Sequence, residues 1–465
     1  QDLEPCTMQS IVEFNQRESL HQEVHARPPI ALWPQERVIH QAFLITRPEQ
    51  REMQREWVDA LSRVLQQPGH PVHGRSVRVL ELNPAPSRLL LKWEMHGEFC
   101  AVTLYLQGEP SGRPFHETRA DIRQRFHARL AELGVKTLGP ESGERISAVD
   151  ITIAQEQLSE DAADVAPRFQ GNTVIGGTIL GTRRAQVWTD FQIDAGGYIN
   201  VLVNHQGMGS RQAGRVVQRL IDIDTYRMMA LLALPRAKSL SEPLSRAESD
   251  LSMLSTQLTD TQTGDSDQTI QTDGQLLNGV SALAARVEGW VSEHGLRFTA
   301  SEAYSDLVRR ALSELKETAL PGVQTLGEFM ERRFEPAMRT CRWTQRRLRE
   351  LSDRISRTTQ ILRTRIEFVN ERQTQALLSS MDRRAKLQLK LQQTVEGLSL
   401  VVLSYYAVGL IGYLVKGLKS AGLHVDAELV TGLAVPVVAG LLYWGIRRAR
   451  KRAPGYESPT PDKPQ

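Results

Sequence analysis

GLSLVVLSYYAVGLIGYLV, residues 397–415, and LVTGLAVPVVAGLLYWGI, residues 429–446, contain no charged side chain. At about 1.5 Å of rise per residue, each helix reaches close to the ~30 Å hydrocarbon core of a bilayer, so the pattern predicts a hairpin of two membrane spans. The intervening residues, 416–428, suffice for a turn and not for a domain. Everything before residue 397 is then expected on one side. Arg383, Arg384, Lys386 and Lys390 precede the first span and Arg447, Arg448, Arg450, Lys451 and Arg452 follow the second, against Lys416 and Lys419 in the turn. By the positive-inside rule, both termini are expected in the cytoplasm of a multi-pass protein of the cell membrane. The tail, 447–465, reads as basic and then disordered.

Upstream of the first span, residues 337–396 hold neither proline nor glycine, which predicts a stalk helix over 336–396 of roughly 90 Å. Leu348, Leu351, Ile355, Leu362, Ile366 and Val369 keep a 3-and-4 spacing along it, with Thr359 in one slot. Such a seam calls for packing against neighbouring helices or other copies of the chain. Asn370 to Gln375 interrupt it with polar side chains that would fix register or line an axial cavity. Residues 331–390 carry 16 Lys and Arg against 7 Asp and Glu, a basic stripe toward the membrane.

Residues 210–335 read as helical. Ser210 is the expected N-cap of a helix, or of a pair broken at Pro235. The run 256–274, without Lys or Arg, reads as a polar loop or a fraying helix tip. Helices are expected at 276–294 and at 301–318, the second opened by a capping box at Thr299 and Glu302, and a second box at Thr325 and Glu328 opens the helix leading to the membrane. Pro336 is a candidate kink. Before residue 210 the period is that of strands, at 37–46, 77–82, 88–96, 99–106, 146–153, 173–180, 185–193 and 198–203, with helices at 49–66 and 117–133. The fold class is therefore α+β: a mostly antiparallel α/β domain over 1–209, a helical region, a stalk and a membrane hairpin.

The net charge is +3 over 465 residues, which argues against a general nucleic-acid binder. Cys6, Cys100 and Cys341 are scattered without CxxC spacing, as in a reducing compartment. The opening QDLEPCTMQS has no basic region followed by an apolar run, so no secretory signal is expected there, and its lack of an initiating methionine leaves room for preceding sequence. No GxSxG, HExxH or GxxxxGK[ST] occurs, and a non-enzyme without a cofactor is expected. His70 and His73, three apart in a proline-glycine turn, are weak metal candidates, with His96 and Glu98 to complete a set. Tyr405 and Tyr406 fall at the centre of the first span. Their hydroxyls need partners such as Ser404, Thr431 or a neighbouring helix, or else they line a pore.

Val24-His25-Ala26-Arg27-Pro28-Pro29, Thr189-Asp190-Phe191, Arg211-Gln212-Ala213-Gly214-Arg215, Tyr226-Arg227-Met228-Met229 and the run from Leu362 to Tyr406 resemble an uncharacterised bacterial family of predicted membrane-anchored proteins, a domain of unknown function. The resemblance covers essentially the whole chain. It makes His25 and Arg27 a candidate ligand or docking motif. More distantly, the plan is similar to that of the CorA-type magnesium channels, with an α/β domain, a long helix entering the membrane and a two-span hairpin. That likeness implies divalent cations as cargo and an oligomer around an axial pore. Its Gly-Met-Asn filter is Gly412-Tyr413-Leu414 here, so an ordinary magnesium filter is not expected. Two functions follow as expectations: an oligomeric interaction or scaffold protein held at the lipid bilayer, and a divergent divalent-cation channel or transporter.

Overall fold

Strand β1 (Glu36–Leu44, ERVIHQAFL) has apolar or β-branched side chains pointing both ways, so it is stable only where both faces are covered. The computed structural model describes residues 14–18, 20–21, 29–33, 35–67, 76–83, 88–107, 115–157, 159–260, 266–420 and 427–452. They fall into two units, Gln1–Gln262 with Gln275–Thr359, and Thr263–Gly274 with Gln360–Gln465. In the first unit β1 joins β2 (Val77–Asn83), β3 (Leu89–Met95), β4 (Phe99–Gln107), β5 (Glu144–Ala154), β6 (Ile175–Thr178), β7 (Ala185–Ile193), β8 (Ile199–His205) and β9 (Thr318–Ala319). The sheet order is β2-β3-β4-β1-β5-β8-β7-β6-β9. Neighbours run antiparallel except β5 and β8, which are parallel.

Register sorts the side chains into two chemistries. Ile39 stands opposite Leu104 on one side and Asp150 on the other, and His40 opposite Thr103 and Val149. The Ile39 face is covered by helices α1 (Pro48–Val64) and α2 (Phe115–Glu132), which bring Trp57, Val58, Leu61, Ile122 and Leu130 onto Leu80, Leu91, Trp93 and Leu104. A one-turn helix, α3 (Ala162–Val165), adds Val165 to the apolar group around Trp188 and Leu202. The His40 face is covered by α4 (Ser210–Leu231), whose Met229 packs on Ala42, Phe99 and Ala101.

Ser210 is the first helical residue and not the cap: Gly209 occupies the N-cap position and makes no side-chain bond. The Ser210 carbonyl accepts from Leu32 N at 3.0 Å, tying residues 29–33 across the start of α4. Helix α5 (Ala233–Asp260) follows after a break at Leu232, and Pro235 lies in its first turn, where a missing N–H is tolerated.

Three helical expectations require correction. Helix α6 (Ser266–Leu315) runs unbroken through Gly295 and the expected capping box. Thr299 Oγ1 donates to Gly295 O at 3.1 Å inside the helix, and Ser301 Oγ reaches Ala230 O at 2.7 Å. Packing of Phe298, Ser301 and Val308 overrides the local stop signal. Of the two readings of 256–274, the loop gives way to the helix tip: the stretch is helical at both ends, with 261–265 outside the described residues. The helical half also contributes a strand, β9, which pairs Ala319 with Gly177.

The second capping box forms as expected. Glu328 N donates to Thr325 Oγ1 and Thr325 N to Glu328 Oε2, each at 3.0 Å, opening α7 (Leu326–Arg333). The helix from Leu326 breaks at Phe334, and helix α8 (Glu335–Ser420) starts just after it with Pro336 in its first turn. Leu348, Leu351 and Ile355 are buried within the first unit.

In the second unit, Leu362 is buried and Arg365 Nε lies 2.9 Å from Asp273 Oδ2. Residues 374–395 are exposed on every side. The unit's last described helix is α9 (Ala427–Arg452), which contains Pro436. A Cβ on Gly412 would lie 3.6 Å from Thr431 Cγ2, so the end of α8 and the start of α9 pack face to face.

Candidate functional site

Among the described residues, two places stand out against the ordinary rules of burial. One is the pair of apolar helix ends, and the other is a polar interior on both sides of β1.

The described residues of the two helix ends pair along one narrow seam. Ser404, Ala407, Ile411 and Val415 on α8, and Thr431, Ala434, Val438 and Leu442 on α9, are at least partly covered, at the 3-and-4 spacing of a helix pair. The remaining surface is apolar and open. Leu398, Val401, Leu410, Leu433 and Leu441 are exposed, and the 18-residue apolar windows of the two helices are 6% and 0% buried. Both helices are long and apolar enough to cross a membrane. Tyr405 and Tyr406 are also exposed, with their rings edge to face at 5.9 Å. Ser404 Oγ donates to Leu400 O of its own helix at 2.8 Å, so its hydrogen is committed there and not to a tyrosine.

On the α4 side of the sheet a hydrogen-bonded row crosses β4, β1, α4 and β5. His40 Nδ1 bonds Thr103 Oγ1 at 2.8 Å and His40 Nε2 bonds Thr225 Oγ1 at 3.1 Å. Ser147 Oγ lies 3.5 Å from Thr225 Oγ1 and donates to Asp224 Oδ2 at 2.6 Å, while Arg227 Nη2 donates to Asp224 Oδ1 at 2.5 Å. Beside this row Lys92 Nζ sits 3.0 Å from Glu94 and donates to Gln218 Oε1 at 3.2 Å. A cavity of about 150 Å³ lies here, lined by His40, Glu94, His96, Gln218, Asp222 and Tyr226 among others. Burial pushes the Glu94 carboxyl up, but the Lys92 ammonium and the imidazole of His96 outweigh it, and the group ends below its ordinary value. Burial raises that of Asp222, offset in part by Gln218 and Arg219.

Burial also drives the His40 imidazole down from 6.5 to about 3. The unfolded chain then takes up a proton below pH 6.5 that the folded chain refuses, so stability is present above that pH and is lost as pH falls toward 3. The loss expected from this one group is on the order of 4 kcal/mol. Urea denaturation at pH 7 and pH 4 checks it: the His40→Gln variant should lose much less stability across that interval than the parent.

On the α2 side, Asp150 is fully buried between two guanidinium groups. Arg37 Nε donates to its Oδ1 at 2.6 Å and Arg37 Nη2 to its Oδ2 at 2.8 Å, while Arg119 Nε donates to Oδ2 at 2.7 Å. Arg119 continues to Asp194 at 2.9 Å and to Asn200 Oδ1 at 2.7 Å, with its guanidinium 4.2 Å from the centre of the Tyr198 ring. Every charge here has an opposite partner, which is the pattern of a structural tie rather than of a reacting centre.

Of the sequence motifs, Thr189-Asp190-Phe191 and Tyr226-Arg227 meet. Phe191, at φ +48 where the β7–β8 register shifts, has its ring 4.9 Å from the Arg227 guanidinium and 5.0 Å from the Phe329 ring. His25, Arg27, His70 and His73 lie outside the described residues. His96 stacks on Phe99 at 4.2 Å, and Glu98 accepts from Tyr304 Oη at 3.0 Å and pairs with Arg297. Among the described residues no three His, Cys, Asp or Glu side chains are placed to hold a metal ion. Burial raises the Cys100 thiol well above its usual range and that of Cys341 to about 11, so neither is poised as a nucleophile.

The buried ionic groups were not singled out in the sequence, although a signal exists. Lys92 and Glu94 stand two apart within LLLKWEM, and Asp150 stands alone within SAVDITIA. A charge inside an otherwise apolar strand has to be paired once that strand is buried.

These features define an α+β protein with an antiparallel-rich sheet, very long helices and two apolar helix ends of membrane-crossing length. The chain belongs to the family described as Protein of unknown function (DUF3422), whose model matches residues 12–453. No curated protein matches it.

Proposed function

We propose that this is a multi-pass membrane protein whose apolar segments of α8 and α9 enter the bilayer as a hairpin, with both termini cytoplasmic. The sheet-bearing unit then serves as an interaction or scaffold module, brought into oligomers through α8 and the membrane helices. The observation that carries this reading is the lack of cover over the two apolar windows. Leaving a leucine or valine in water instead of an apolar medium costs about 1.5 kcal/mol or more, so such a surface requires lipid or further copies of the chain. The excess of Lys and Arg outside the turn orients the hairpin.

The test is alkaline carbonate washing of membranes bearing the full chain, followed by cross-linking in lipid nanodiscs. The protein should stay with the membrane fraction and cross-link to a defined subunit number; release by carbonate would overturn the anchor. A second reading, a divalent-cation channel of CorA-like plan, draws on the exposed tyrosine pair within the first apolar segment. Liposome flux of divalent cations that disappears in Tyr405→Ala or Tyr406→Ala would favour the channel over the scaffold.

A further inference from the structure

Between α2 and the sheet, on the face away from α4, lies a cavity of about 210 Å³. Its walls are apolar: Ile39, Trp57, Val102, Leu104, Phe126 and Leu138. Gln41, His127, Thr137 and Tyr198 supply polar groups, and Gln41 Nε2 donates to Tyr198 Oη.

The same cavity is lined by two guanidinium groups, Arg123 and Arg145. Neither has a carboxylate partner among the described residues, whereas Arg119, one turn earlier on α2, is tied to both Asp150 and Asp194. Arg145 is nonetheless held in place. Its guanidinium lies 5.1 Å from the centre of the Tyr198 ring, and its Nη2 donates to Gly196 O at 3.4 Å. A Cβ on Gly197 would stand 2.2 Å from that Nη2, so the glycine pair is what lets the arginine lie over the turn.

An apolar hollow bordered by two cations without carboxylate partners is complementary to an anion with an apolar body. Small-molecule sites have this composition, mostly apolar walls with few polar groups that orient the ligand. A dry cavity of about 150 Å³ accepts benzene, so the larger volume here takes a substituted ring or a short acyl chain. Arginine binds carboxylates through paired N–H donors, which is the chemistry offered by the two guanidinium groups. We propose that this cavity binds a small monocarboxylic acid, its apolar body against Trp57, Leu104 and Phe126 and its carboxylate between Arg123 and Arg145. The inference is independent of the membrane reading.

The experiment is calorimetric titration of the full chain in lipid nanodiscs with 3-phenylpropionate, with octanoate and with uncharged 3-phenylpropanamide, using empty nanodiscs as the blank. One saturable site is expected for at least one of the acids. Where 3-phenylpropionate is the ligand, the amide should bind at least tenfold more weakly; where octanoate is, octanamide takes that place. Arg123→Gln and Arg145→Gln should each weaken the acid about tenfold, and the double variant should abolish its binding while the protein stays folded, with only a small fall in unfolding temperature from the lost Arg145 contacts, since both side chains are exposed. Tighter binding of 3-phenylpropionate assigns the body as a ring, and tighter binding of octanoate assigns it as an acyl chain. No saturable site for either acid, equal affinity for acid and amide, or unchanged binding in the double variant would overturn the proposal.

Discussion

Replacing Asp150 with alanine is expected to lower the stability of the sheet-bearing unit by about 3–5 kcal/mol, the cost of breaking a buried ion pair from one side. The carboxylate is 0% exposed and accepts three hydrogen bonds, two from Arg37 and one from Arg119. Without it, Arg37 keeps only the Phe115 carbonyl at 2.8 Å and the Phe115 ring at 4.8 Å, while Arg119 keeps Asp194 and Asn200. Asp194→Ala should do less harm, because that loss leaves Arg119 still bonded to Asp150. Urea denaturation of the solubilised full chain measures both. An Asp150→Ala variant within about 1 kcal/mol of the parent would mean that the two arginines can find water, contrary to their burial.

Gly214→Ala is the second large effect, and its sign makes it informative. In a helix interior alanine is favoured over glycine by about 1 kcal/mol, so a helix considered alone gains from the change. Here the added Cβ would stand 1.9 Å from Ile30 O and 2.9 Å from Ile30 C, a clash with main chain that no rotamer relieves. Residues 29–33 must lift from α4, and the bond from Leu32 N to Ser210 O goes with them. A net loss of about 2 kcal/mol is expected, the size of a core overpacking defect. Faster proteolytic cleavage around residues 29–33 should accompany it. A stabilised Gly214→Ala protein would show that the segment does not cross the helix.

The glycine also shows how far a motif can be read. Arg211-Gln212-Ala213-Gly214-Arg215 is visible as a pattern, and so is the motif holding His25 and Arg27. That residues 29–33, immediately after it, cross α4 at Gly214 depends on the placement of β1 against β4 and β5, which no local signal encodes. The same holds for the cavity beneath α2, whose lining comes from residues between Ile39 and Tyr198, scattered over five elements and the segments joining them.

Period and composition alone determined the strands of the first half, the switch to helix near residue 210, the Thr325–Glu328 cap and the two apolar segments. Each depends on neighbours a few residues apart or on the length of an uncharged run. Tertiary structure alone decided that α6 passes through Gly295 and the Thr299 box, that a two-residue strand from the helical half closes the sheet at β6, and that Asp150 is caught between Arg37 and Arg119. In those places the energy of burying a face or pairing a charge exceeds the local preference, and the partners that supply it lie 31 to 140 residues away along the chain: Ala230 for Ser301, Arg119 and Arg37 for Asp150, and Thr178 for Thr318.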